Sequence, residues 1–393
     1  MVVLTGARQT GKTTLARRAP RRRFRSLDDP EVLDLAHRDP EVLLLEAPRM
    51  TLDEVQRCPP LLTAVKRAVD RDRSPGRFLL TGSANLLLME RVAESLAGRA
   101  VYLYLRPMTE PEKAGRPAAA PWRRLLAARS AREAAGAFDR SRTANWNWRQ
   151  AVIEGGFPTP ALQSDPDARR AWFDGYLRTY VERDLRQIAQ IDALVDFRRL
   201  MKVAALRVGG MVNQAQLARD AGLSHATAHR YLNLLETSFL IARVPPYAVN
   251  RTKRLMKMPR LYWEDTALGA HLAGIDSPKD LDGHACAGGL LENLVWHHLR
   301  CWADSADEPV EILTWRTVAG AEVDFVLETR RRLLPVEVKA SSHVGGGDLR
   351  HLQAFLDEYG DRAPFGLILY GGDECRLVAG RIVAVPLTAA VAV

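Results

Sequence analysis

An α/β fold built on a parallel sheet is what the first hundred residues of this chain predict, with a helical stretch and a second α/β module behind it. Three observations carry that expectation. Gly6-Ala7-Arg8-Gln9-Thr10-Gly11-Lys12-Thr13-Thr14 satisfies G-x-x-x-x-G-K-[ST], set between a short apolar run, Val2-Val3-Leu4, and a helical pattern from Thr14 onward. Strand-like apolar runs then alternate with helical periodicity as far as Leu105. Far beyond that sheet, strand patterning returns in Glu322-Val323-Asp324-Phe325-Val326 and Pro335-Val336-Glu337-Val338-Lys339-Ala340.

At 393 residues the chain exceeds one ordinary core and implies two or three domains. Hydrophobic content of 47% beside 26% charged residues is that of a globular protein, and no run of about 18 apolar residues suggests a membrane span. Cys58, Cys286, Cys301 and Cys375 lack C-x-x-C spacing, which argues against a zinc site or a disulfide framework and for a reduced, cytoplasmic setting. The start of the chain reads as a strand and a loop rather than a signal peptide. A net charge of +9 favours an anionic partner. Eight of the 25 residues from Met1 to Arg25 are Lys or Arg and none is Asp or Glu. Beyond the loop, Arg21-Arg22-Arg23 with Arg25 reads either as a solvated basic face or as a nucleic-acid contact.

The loop spacing has a chemical reason. Gly6 and Gly11 permit backbone angles that turn amide N–H groups inward, and the following helix N-terminus adds its dipole. Lys12 supplies a point charge for the β- and γ-phosphates, and the Thr13 hydroxyl can ligand Mg²⁺. The segment from Gly6 to Thr14 is therefore expected to bind a nucleoside triphosphate. A strand is expected at about residues 24–27 and one helix at about 30–44. Met50-Thr51-Leu52-Asp53-Glu54 reads as a strand ending in two carboxylates, Asp53 to support the metal and Glu54 to polarise the attacking water. Arg49 and Thr51 are out of keeping with a central strand. Arg77 to Ser83 reads as a strand between those of the loop and of Asp53, so that Thr81 or Ser83 could sense the γ-phosphate. Arg99 fits either an arginine finger for a neighbouring subunit or a structural ion pair.

Residues Thr5 to Thr14, Leu52-Asp53-Glu54-Val55-Gln56-Arg57, Thr81-Gly82-Ser83 and Ser95-Leu96-Ala97-Gly98-Arg99 resemble the prokaryotic AAA+-class ATPases whose C-terminal half is a domain of unknown function. Gly155-Gly156-Phe157-Pro158 and Tyr176-Leu177-Arg178-Thr179-Tyr180-Val181-Glu182-Arg183-Asp184 are similar to the same family. The resemblance implies ATP as the nucleotide; Ser83 is taken as the sensor from its place at the end of its strand, and a homo-oligomer is a candidate assembly. Family members usually carry a further segment ahead of the loop strand that helps cover the base. This chain begins inside that strand, leaving a truncated start or a more open base site.

Residues 107–121 read as a Pro-, Ala- and Gly-rich linker, followed by helical patterns to about Val208. Trp146, Trp148 and Trp172 read as packing residues ahead of base-stacking ones. Asn213 to Asp220, the turn Ala221-Gly222-Leu223, a helix His225–Glu236 capped by Ser224 and the strand Phe239–Val244 have winged-helix spacing. His225, Thr227, His229 and Arg230 would face a groove in a DNA-reading version; a protein-packing version is equally open. Asn250-Arg251-Thr252-Lys253-Arg254 with Lys257 could hold phosphates. Glu292 on an apolar helix, Asp324 on one strand, and Glu337 with Lys339 on the next resemble the PD-(D/E)XK nuclease fold, in which the acids bind Mg²⁺ and the Lys places water.

The expected organisation is a P-loop ATPase core at 1–110, a linker and helices at 111–208, a winged-helix-like domain at 209–260 and a nuclease-like domain at 261–393. Two functions follow. One is a DNA-linked, Mg²⁺-dependent ATPase with nuclease potential, using Lys12, Glu54 and Ser83 in catalysis. The other is a nucleotide-dependent switch that binds a protein partner, with an inactive nuclease-like domain.

Overall fold

The computed structural model describes residues 1–82, 98–116, 121–138, 146–179 and 194–391. They divide into two compact units. The first holds Met1–Pro107 with Asn233–Leu240; the second holds Met108–Thr179 and most of the chain beyond residue 194.

In the first unit β1 (Val2–Thr5), β2 (Arg23–Ser26), β3 (Met50–Asp53), β4 (Phe78–Thr81) and β5 (Val101–Tyr104) form one sheet in the order β2-β3-β4-β1-β5. Every pair is parallel. β4 thus lies between the loop strand and the strand of Asp53, as the sequence suggests. Parallel strands need crossovers, and the helix Pro59–Arg71 supplies one by burying Leu61, Leu62 and Val65 in a core with Val3, Leu52 and Leu80.

The single helix expected at 30–44 is instead two, Pro30–Arg38 and Pro40–Leu45. Pro40 has no N–H and crowds the residue before it, so the first helix must stop at Asp39. Asp39 then caps the second by accepting the Val42 amide at 3.1 Å. Thr51, out of keeping with a buried strand, is satisfied by Arg22, whose Nε donates to Thr51 Oγ1 at 3.2 Å. The same guanidinium donates to the carbonyls of Gly76 (2.6 Å), Met50 (2.7 Å) and Arg77 (3.0 Å). Arg22 therefore fastens the β3 and β4 segments, and Arg23 and Arg25 both pair with Glu46.

The second unit is built on a six-stranded mixed sheet: β8 (Glu311–Arg316), β9 (Glu322–Glu328), β10 (Leu333–Lys339), β11 (Gly366–Tyr370), β12 (Arg376–Ala379) and β13 (Ile382–Pro386), ordered β12-β13-β11-β10-β9-β8. β9 is antiparallel to both β8 and β10, whereas β10, β11 and β13 run parallel. The helix Gly346–Tyr359 packs Leu352, Phe355 and Leu356 into a core with Trp315, Val326 and Ile368. A separate ribbon pairs β6 (Ile241–Val244) with β7 (Arg260–Trp263) in antiparallel register. The helices Gln214–Asp220 and His225–Thr237 flank a turn in which Gly222 has φ 64°, and Ser224 accepts the Thr227 amide at 3.1 Å. Part of the expected linker is structured. Glu110–Lys113 is a helix, and Lys113 pairs with Glu110 and Glu154.

Trp148 is buried, Trp172 stacks on Tyr176 with centroids 5.1 Å apart, and Trp146 donates to Glu110 at 3.0 Å. All three serve packing. The Gly155-Gly156-Phe157-Pro158 motif has a local cause as well. The buried Asp265 carboxylate accepts the amides of Gly156 (2.7 Å) and Phe157 (3.2 Å) while capping the helix Thr266–Leu272 through Leu268 N (2.9 Å). Gly155 sits at φ 64°, where an added Cβ would lie 2.6 Å from Asp265 Oδ1 and 2.8 Å from Ala267 Cβ. Gly155→Ala is therefore expected to destabilise the second unit by about 3 kcal/mol, read as a lower denaturant midpoint. An unchanged midpoint would remove this account of the motif.

Candidate functional site

The site is assembled where the carboxyl ends of β1, β3 and β4 meet the helix Lys12–Arg17. The run after β1 cannot continue as a strand. Gly6 takes φ 143°, and a Cβ there would stand 2.3 Å from the Leu105 carbonyl oxygen, so only glycine lets the loop start beside the end of β5. Gln9 (φ 66°) and Gly11 (φ 92°) then bend the backbone back on itself, and Gly11 is the N-cap of the helix. Thr10 closes the bend by donating to the Ala7 carbonyl at 3.0 Å. The result is a turn whose amides precede a helix N-terminus, the geometry that cradles phosphate.

Lys12 is buried, and its ammonium donates to the carbonyls of Ala7 (2.6 Å) and Gly6 (3.2 Å). Burial pushes its pKa down to about 8, against the pull of Glu54 and Asp53. Three hydroxyls converge on the buried Asp53 carboxylate. Thr13 donates at 3.0 Å to Oδ1, Ser26 at 3.1 Å to Oδ2, and Thr81 to Oδ1. These are hard oxygen donors beside an anion cradle, a set that fits Mg²⁺.

Glu54, directly after β3, is held in the left-handed region at φ 57°, ψ 41°. An L-residue pays about 1 kcal/mol or more for that conformation, so strain is stored next to Asp53. Its carboxylate accepts from Gln56 Nε2. Burial raises its pKa, aided by Asp53 and Asp28, while Gln56 and Lys12 oppose the rise. A cleft of 570 Å³ runs along the loop, lined by Arg8, Lys12, Thr13, Glu54, Gln56 and Arg57. A second cavity of 330 Å³ adjoins it on the β2 side, with Thr13, Asp28 and Asp53 in its wall.

Lys12, Thr13, Asp53, Glu54 and Thr81 are thus brought together in one unit, with Arg8, Gln9, Gly11 and Thr14 along the cleft. Ser83 lies outside the described residues. Ser26 was not singled out from the sequence, and Gln56 was quoted only as part of the Leu52 to Arg57 stretch, without a role of its own. Ser26 ends the strand β2 and belongs to no recognisable motif. Arg99 makes a two-point pair with Asp70 of its own chain, at 2.6 and 2.9 Å, the ion-pair alternative.

The C-terminal acids also meet, around a group the sequence did not single out. Glu292 (helix Ala287–Asp304) and Asp324 (β9) both accept from Arg260 of β7, at 2.9 and 3.0 Å. Glu337 pairs with Lys339 at 2.9 Å. Among the described residues, no group of three or more His, Cys, Asp or Glu side chains is arranged to hold a metal ion. The legible signal was Arg260 itself, a charge opening the otherwise apolar run Leu261-Tyr262-Trp263.

Residues 1–113 match the family described as an AAA domain. Residues 145–279 and 287–390 match two domains of unknown function, DUF8612 and DUF4143. Two mycobacterial proteins, each titled as uncharacterized, are similar over 347 residues at 31% identity: Rv2008c of Mycobacterium tuberculosis and Mb2031c of Mycobacterium bovis. The similarity covers 87% of this chain and 70% of each relative. Among solved structures, a RuvB variant of Thermotoga maritima aligns at 20% identity and a TM-score of 0.27, covering 65% of this chain and 86% of that one.

Proposed function

The chain belongs to the family of the mycobacterial proteins Rv2008c and Mb2031c, with an AAA-class P-loop ATPase domain ahead of domains of unknown function, and on that premise we propose that it is a Mg²⁺-dependent ATP hydrolase. The carrying observation is the direct hydrogen bond from Thr13 to Asp53 at the mouth of the amide cradle, with Lys12 and Glu54 on either side. In this reading Gly6 to Thr14 hold the triphosphate, and Lys12 turns from the Gly6 and Ala7 carbonyls to its β- and γ-oxygens. Thr13 and Asp53 hold Mg²⁺, which neutralises phosphate charge when bound. Glu54 takes the proton of the attacking water, and Thr81, with Ser83 beyond it, senses the γ-phosphate from β4.

For the remainder of the chain a nucleotide-dependent switch acting on a protein partner is favoured over a DNA-linked engine. Each basic cluster turns its most central arginine inward: Arg22 onto backbone carbonyls, and Arg254 onto Glu328 (2.5 Å) and Glu311 (3.2 Å). That leaves fewer cations for counterion release from a nucleic acid.

Steady-state phosphate release with ATP is the test. Turnover in Mg²⁺ is expected to fall to background in excess EDTA and to return when Mg²⁺ is restored. It is expected to be indifferent to duplex or single-stranded DNA. Metal-independent turnover would sink the Mg²⁺ assignment, and severalfold stimulation by DNA at physiological salt would return the DNA-linked reading to first place.

A further inference from the structure

The acids that resemble a nuclease metal set share a guanidinium. Arg260 is buried, with Nη1 on Glu292 Oε2 (2.9 Å) and Asp324 Oδ1 (3.0 Å) and Nη2 on Glu322 Oε2 (3.1 Å). Further donors engage the same acids, whereas the buried Glu337 Oε2 has no hydrogen-bond partner among the described residues. Tyr262 donates to the same Glu292 oxygen at 3.1 Å, and the Val338 amide donates to Asp324 Oδ2 at 2.9 Å. Glu337 is drawn to Lys339 on its own strand. A divalent ion bridging Glu292 and Asp324 would have to sit where the guanidinium sits, because both carboxylates already aim their nearest oxygens at Nη1. Two cations cannot share that space at a buried site without strong repulsion.

Retreat of the arginine is also obstructed. Its backbone is in β7, in register with Val244 of β6 and bridged to Met211 on the other side. Its charge is permanent, so it cannot yield by losing a proton. Swinging it out would break its hydrogen bonds and leave buried carboxylates uncompensated, a strongly unfavourable exchange. A planar fork is suited to satisfying two carboxylates at once, which a lysine would not do.

We propose that Arg260 is the resident cation of this acidic site, so that the C-terminal unit takes no divalent metal at Glu292, Asp324 and Glu337 and does not cleave phosphodiester bonds there. Glu292 and Asp324 instead fasten β7 to the helix Ala287–Asp304 and to β9. This inference is independent of ATP hydrolysis in the first unit.

The test uses the full chain without nucleotide. Mn²⁺ binding is followed by electron paramagnetic resonance, beside cleavage of plasmid DNA in Mn²⁺, for the wild type and Asp324→Asn. The two are expected to bind Mn²⁺ identically, and neither to cleave. A Mn²⁺ site or a cleavage activity lost in Asp324→Asn would overturn the proposal. A thermal-melting cycle gives the second arm. Arg260→Met is expected to lower the Tm by several degrees, and adding Asp324→Asn to it is expected to restore part of that loss, because the unpaired charge is removed with its partner. Strictly additive losses would overturn the lock. If Arg260→Met does not fold, Arg260→Lys replaces it in the same cycle, with a smaller loss expected.

Discussion

Glu54→Gln is expected to leave ATP binding intact and to lower the rate of hydrolysis by about 10²–10⁴-fold, the usual contribution of a general base. The amide keeps the size of the carboxylate and can still exchange a hydrogen bond with Gln56, so the loop conformation at φ 57° need not change. What it loses is basicity. Glu54 is well placed to supply it, because burial raises its carboxyl above the ordinary value and so strengthens it as a proton acceptor. Single-turnover phosphate release and a fluorescent-nucleotide titration separate the two effects. Hydrolysis within threefold of the wild type would remove Glu54 from the role of base.

Lys12→Ala is expected to have a comparably large effect, but on binding. The ammonium is buried and donates to the Gly6 and Ala7 carbonyls, which are neutral acceptors it can leave for a triphosphate. Removing it from the cradle should weaken ATP binding by at least tenfold, about 1.4 kcal/mol, and take hydrolysis to background. The pH dependence has a definite sign. Free Lys12 titrates at about 8, and bound phosphates favour its charged form, so binding takes up a proton above that pH. Affinity is therefore expected to be level below about pH 7 and to fall as pH rises through 8, and the fall should vanish in Lys12→Ala. Nucleotide titrations from pH 6.5 to 9.5 check this. A slope that persists in the variant would assign the titration to another group.

Much of the first unit was legible before folding, and the reason is local. A phosphate loop needs glycines, a lysine and a hydroxyl at set spacings because successive amides build it, and such spacings survive in one dimension. Asp53 and Glu54 were legible because they end an apolar run. The break at Asp39-Pro40 was equally written in the chain, and the expected single helix missed it because apolar periodicity continues across the proline.

Only the tertiary structure decided who partners whom. Nothing in the Arg21-Arg22-Arg23 run marks Arg22 as the residue that satisfies Thr51 and three carbonyls, since its partners lie 28 to 55 positions away. Ser26 joined the Asp53 cluster because β2 pairs with β3, setting Ser26 opposite Asp53 in the register. At the far end, the resemblance of Glu292, Asp324 and Glu337 to a nuclease metal set implied that the acids would gather, and alternation put Glu337 and Lys339 on one face. It could not say that Arg260, from a separate ribbon, would reach their centre. A motif records which groups the backbone presents locally; the charge that fills the space between them comes from another part of the chain, and packing alone places it.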